Sequence, residues 1–175
     1  MRTENYNKPV LPEKMNINLT IKKKPTALDE YLDNDEMELP PFHFALVELS
    51  QYVEGCINIT FSNGFNITLD LFCDFLICLD DIIDSINAAK SLHEKIKEIW
   101  FCEQGSDFYL YYQVKNKAIS LSYKKGKSVG MPNKAIPDFL IEVSTSEYIT
   151  QWENIFQKLI MLFEEILDQK IRVPF

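Results

Sequence analysis

No stretch of this chain approaches the ~20 uninterrupted apolar residues of a membrane-spanning helix. The opening Met1-Arg-Thr-Glu-Asn-Tyr-Asn-Lys-Pro9 also lacks the apolar core of a secretory signal. A cytoplasmic protein is expected. Cysteine is scarce: Cys56, Cys73, Cys78 and Cys102 are the only four, and they form no CxxC pair. In their apolar surroundings they are expected to be reduced and buried, acting as small hydrophobes and not as a disulfide or zinc staple. Histidine is scarcer still. His43 and His93 lie fifty residues apart with no acidic or cysteine residue at ligand spacing, so neither opens a sequence-local metal site. EF-hand spacing is absent too, and no metal or other cofactor is expected.

Basic residues are in deficit, 18 against 26 acidic, giving a formal charge of −8 and a pI of about 4.8. That mean field repels phosphate backbones and anionic headgroups, which argues against nucleic acid and membrane surfaces as partners and in favour of a basic protein. Gly126-Lys127-Ser128 resembles the tail of a phosphate-binding loop, but Leu121 stands where the earlier glycine is required. Gly126 reads as a turn residue at the end of a strand.

Apolar residues are plentiful, at 46% of the chain with 12 Phe and 8 Tyr, enough for a core dominated by large rings. Residues 1–14 are polar and carry Pro9 and Pro12, and read as a flexible arm preceding one domain over 15–175. Met15, Ile17, Leu19 and Ile21 alternate with Asn16, Asn18 and Thr20 as in a half-buried strand. An acidic connector follows from Leu28 to Leu39, closed by Pro40-Pro41, and Phe42 to Val53 reads as a strand apolar on both faces. Ile57, Ile59 and Phe61, then Asn63-Gly64, then Phe65, Ile67, Leu69 and Leu71 predict a β-hairpin, because Asn-Gly supplies the positive φ of a tight turn.

From Phe72 the apolar period lengthens to three and four through Leu76, Leu79, Ile82, Ile83 and Ile86, predicting a helix to about Ala89. Asp74, Asp81 and Asp84 fall off that stripe, and Asp80, Asp81 and Asp84 read as a solvated face in preference to a hard-cation site. Three short strands, Ile96–Cys102, Phe108–Val114 and Ala118–Lys124, form a predicted meander, and Phe139–Val143 a last strand. Ser144 with Glu147 matches a capping box opening a long amphipathic helix to Gln169. The expected fold is α+β: a mainly antiparallel sheet of six to eight strands with two amphipathic helices packed on one face.

No complete catalytic, metal or nucleotide motif appears, so no catalytic residue is assigned. Two surfaces stand out as partner-binding candidates. Asp29, Glu30, Asp33, Asp35, Glu36 and Glu38 are unopposed by any base; their simplest reading is a solvated loop, and their density makes them the preferred contact for a basic partner. Tyr109 and Tyr111 point away from Phe108, Leu110 and Tyr112, onto a half-apolar sheet face of the kind interfaces favour. The general build resembles that of small acidic bacterial immunity proteins that neutralise a toxin by covering it, a resemblance of style resting on no specific residue. The expected function is a non-enzymatic protein-binding module, of immunity or antitoxin type. The alternatives are an enzyme or small-ligand binder whose polar site converges only in the fold, and a structural homo-oligomer.

Overall fold

The computed structural model describes residues 12–94, 96–103 and 105–175, apart from the side chain of Glu36. Of the arm expected over 1–14, residues 1–11 lie outside the described residues. In chain order the elements are β1 (Met15–Lys23), α1 (Asn34–Met37), α2 (Pro41–Leu49), β2 (Val53–Phe61), β3 (Asn66–Asp70), a π-helical turn (Leu71–Phe75), α3 (Leu79–Ser91), β4 (Ile96–Phe101), β5 (Phe108–Lys115), β6 (Ala118–Lys125), a 3₁₀ turn (Asn133–Ala135), β7 (Phe139–Ser144) and α4 (Thr145–Leu167). The class is α+β with seven antiparallel strands, as expected, but they divide into two sheets, β1-β2-β3 and β4-β5-β6-β7.

The hairpin forms as the Asn63-Gly64 signal requires: Ile59 faces Ile67, Ile57 faces Leu69, and Gly64 takes φ +87°. The expected strand over Phe42 to Val53 is a helix instead. Pro41 sits in its first turn, where a missing N–H costs nothing. Phe42, Ala45, Leu46 and Leu49 then make a buried i, i+3, i+4, i+7 stripe. Half-buried Phe44 and Val47 fill the other side and disguise that period. The helix expected from Phe72 begins as the π-helical turn, whose Leu76 N–H reaches back to Leu71 O, and becomes α-helical only at Leu79. Four α-helices are present among the described residues, against the two expected.

α4 keeps its predicted start, but half of its capping box is redirected. Ser144 Oγ accepts the Glu147 N–H at 3.2 Å, while the Glu147 carboxylate accepts the N–H of Met15 at 2.8 Å, not that of Ser144. One turn on, Gln151 Oε1 accepts the Ile17 N–H at 2.9 Å. Two side chains of α4 thus satisfy the outer edge of β1, whose other side pairs with β2. Such bonds close the gap between the sheets as well. Glu13 donates its N–H to Glu142 O at 2.7 Å in an isolated parallel bridge to β7, while Lys14, donating to Ser62 Oγ, extends the β1–β2 pairing within the first sheet. Asn133, buried in the 3₁₀ turn, pairs with Thr68 of β3 as a strand would. Its Oδ1 accepts the Thr68 N–H at 2.9 Å and its Nδ2 donates to Thr68 O at 2.7 Å.

One hydrophobic cluster runs through both sheets. Phe139 of β7 meets Phe61 and Phe65 of the hairpin, and Phe42 of α2 meets Phe156 and Phe163 of α4, all at centroid spacings of 5.0 to 5.3 Å. Such ring pairs contribute about 0.5–1.5 kcal/mol beyond their area burial. Among the described residues, no helix is long and apolar enough to cross a membrane.

Candidate functional site

In the four-stranded sheet, alternate residues bury one face completely: Ile99, Phe101, Phe108, Leu110, Tyr112, Val114, Ile119, Leu121, Tyr123, Ile141 and Val143 are nearly inaccessible. Their neighbours make the other face. Strand register lays it out in rows, Trp100–Tyr109–Lys124 and Glu98–Tyr111–Ser122–Leu140. Tyr109 and Tyr111 are half-buried, and the residue that the sequence reading missed, Trp100, stands beside them 49% exposed. Trp100 stacks on Tyr109 at 5.7 Å and 8°, and Tyr109 on Tyr111 at 5.9 Å and 20°. Three rings therefore form one continuous ladder from the sheet edge inward.

Carboxylates border the ladder. Glu98 faces Tyr111 across the strand pair, and its carboxylate is the first cause holding that phenol above its ordinary pKa. Glu142 is exposed on β7, and Asp138, held below the usual carboxylate range chiefly by the Lys125 N–H it accepts, ties down Lys124 at 3.4 Å.

The acidic connector lies elsewhere. It is tied to the start of β2, where Gln51 Oε1 accepts the Asp29 N–H. Two of its carboxylates serve its own backbone: Asp29 accepts from Tyr31 N, and Asp33 caps α1 by accepting from Asp35 N at 2.8 Å. Glu38 ends α1 in a left-handed conformation at φ 52°. Asp29, Glu30, Asp33, Asp35 and Glu38 are all exposed, as are Leu28 at 69% and Tyr31 at 87%. For Glu36 only the backbone is described. The two predicted surfaces are therefore separate features, one on the four-stranded sheet and the other on the loop between β1 and α2.

Several sequence expectations change. His43 is on α2, not a strand, and its Nε2 lies 3.0 Å from Asp80 Oδ1. Asp80, Asp81 and Asp84 of α3 are all exposed, as a solvated face requires, and Asp84 also meets Lys97 at 2.5 Å. Asp81 between them, though exposed, is raised above the ordinary carboxyl range by partial desolvation and by the neighbouring Asp84 carboxylate. The four cysteines are free, but only Cys78 is buried, its thiol pushed up to about 12 by desolvation; Cys56 and Cys73 are half-buried, and Cys102, just past β4, is exposed. The Gly126-Lys127-Ser128 turn is clasped by Asp107, whose carboxylate accepts the Ser128 N–H at 2.7 Å, the place a phosphate would need.

Several clefts among the described residues could admit small molecules, and two of them gather titratable side chains. One of about 580 Å³ is lined by Asp84, Lys90, His93, Lys97 and Tyr112. Another of about 290 Å³ holds Cys56, Asp70, Cys73, Asp74, Glu103 and Ser106. In the second, burial raises the Asp74 carboxyl despite bonds from Ser106 Oγ at 2.5 Å and Asp70 N at 2.8 Å. Neither cavity brings a histidine together with two carboxylates. Among the described residues, no three His, Cys, Asp or Glu side chains group so as to hold a metal ion.

No family model, curated protein or solved structure matches the chain.

Proposed function

We propose that this chain is a non-enzymatic protein-binding module that covers a basic partner, in the manner of an immunity or antitoxin-type inhibitor. The observation that carries this reading is the Trp100–Tyr109–Tyr111 ladder on a sheet face bordered by Glu98 and Glu142. In this reading α3 and α4 cover the buried face of the four-stranded sheet and leave the ladder to a partner. Exposed aromatic rings beside carboxylates offer a partner both apolar area and charge complementarity. The connector adds a second patch of the same kind, with Leu28 and Tyr31 exposed among carboxylates. Against catalysis stands the dispersal of the polar groups: His43 pairs with one exposed aspartate, and His93 shares its cavity with a single carboxylate.

The test is affinity capture with the full chain from its native host, at about 20 mM and again at about 500 mM salt, which screens exposed charges beyond a few ångströms. The reading expects a basic protein that is retained at low salt, depleted at high salt, and bound in a defined stoichiometry when purified. Recovery of no partner, or of one whose retention ignores salt, would overturn it.

A further inference from the structure

Among the described residues, the chain closes three of its four sheet edges with backbone-directed bonds and leaves the fourth, that of β4, with a single one. The β1 edge is met by Glu147 and Gln151 of α4, the β3 edge by Asn133, and the β7 edge by Glu13. β4 pairs with β5 alone, and among the described residues one bond reaches its outer side, from the Cys78 thiol to Trp100 O at 3.3 Å. An open edge is a template for another strand. On this edge Ile96 is 65% and Trp100 49% exposed, with Glu98 between them, so the edge and the aromatic ladder are one continuous surface.

Resting on the protein-binding reading above, we propose that β4 is where the partner docks, by adding an extended, arginine-bearing segment of a basic protein as a fifth strand. Three features favour that occupant. Successive outward side chains of the added strand would run over Ile96, Glu98 and Trp100, which present apolar, anionic and aromatic surface in turn. Guanidinium groups suit the last two together, since their flat faces stack on indole and phenol rings while their N–H groups meet a carboxylate; a lysine ammonium does only the second well. A second copy of the chain is a poor occupant. Two-fold antiparallel pairing of β4 with Ile96 facing Trp100 sets Glu98 opposite Glu98, and each copy carries a charge of −8.

The test uses the full chain and three synthetic peptides of alternating valine with arginine, lysine or glutamate. Amide exchange by NMR, Trp100 fluorescence and light scattering are followed together. The proposal expects the arginine peptide to slow amide exchange at Ile96, Glu98 and Trp100 and to quench Trp100. It also expects the lysine peptide to bind several-fold more weakly and the glutamate peptide not at all. Trp100→Ala and Glu98→Lys should each weaken arginine-peptide binding by about tenfold, and Glu98→Gln less, with urea midpoints confirming that the variants fold. Arginine-peptide protection confined to the connector, or binding of the basic partner unchanged in both Trp100→Ala and Glu98→Lys, would overturn β4 docking while leaving the protein-binding reading intact. Protection of the β4 amides in a dimer without peptide would overturn it in favour of self-pairing. Failure to bind any basic peptide or protein would sink both.

Discussion

Asn133→Ala removes one side chain and breaks two bonds between segments 65 residues apart in sequence. Asn133 is 3% exposed and meets both the N–H and the C=O of Thr68, so the alanine variant leaves a donor and an acceptor on β3 without their partner. A fully buried unmade group costs about 1–3 kcal/mol. Thr68 is half-buried, so water recovers part of that, and the expected loss is about 2–3 kcal/mol. Urea unfolding followed by circular dichroism reads it directly: with a slope of about 2 kcal/mol per molar, the midpoint should fall by about 1–1.5 M at unchanged slope. Asn133→Asp sharpens the test. It keeps the acceptor for Thr68 N but sets a carboxylate against Thr68 O, so its proton is held more tightly in the folded state than in the unfolded one. Its stability should accordingly fall as pH rises through the carboxyl range and recover on acidification. A loss below about 0.5 kcal/mol for the alanine variant would refute the role assigned to Asn133 as a substitute strand.

Two tyrosine variants make the same chemical change with opposite expected outcomes. Tyr148→Phe removes a hydroxyl bonded to buried Ser85 Oγ at 2.6 Å and should cost about 1–2 kcal/mol, whereas Tyr112→Phe removes a buried hydroxyl with no partner among the described residues and should be neutral or stabilising by up to about 1 kcal/mol. Equal effects in thermal or urea melts would contradict that assignment. Asp74, raised by burial, binds its proton more tightly folded than unfolded, so its contribution is fully present below the unfolded carboxyl value and declines as pH rises through the raised one. Between about pH 4 and pH 7 the stability difference between Asp74→Asn and the parent chain should therefore move in favour of the variant; a constant difference would contradict it. Gly126→Ala places a methyl group against the Asp107 carboxylate that holds Ser128 N, and should lower the melting temperature and loosen the turn, read as faster amide exchange at Ser128.

What the sequence made legible was local. The Asn63-Gly64 hairpin and the long helix from Thr145 each carry their own turn or cap chemistry within a few residues, and both form where expected. The helix α2 was illegible because Phe44 and Val47 mask the buried period of Phe42, Ala45, Leu46 and Leu49. The division into two sheets was illegible for another reason. It depends on contacts between distant segments, such as Glu13 with Glu142 and Asn133 with Thr68, that no local pattern encodes. The candidate surface was half visible. Strand alternation put Tyr109 and Tyr111 together, but only the register of β4 against β5 brings Trp100 and Glu98 beside them. The connector's charge was plain in the sequence, while the use of Asp29 and Asp33 to fix their own backbone was not.

The central claim is that carboxylate and aromatic surfaces of this chain bind a basic protein. The most direct measurement is the association rate with the captured partner, by stopped-flow fluorescence, as ionic strength is raised. Electrostatic steering predicts a steep fall in that rate with salt, and a shallower one for a chain carrying Glu30→Gln, Asp35→Asn and Glu38→Gln. A rate that is flat with salt, and identical in parent and variant, would contradict the account.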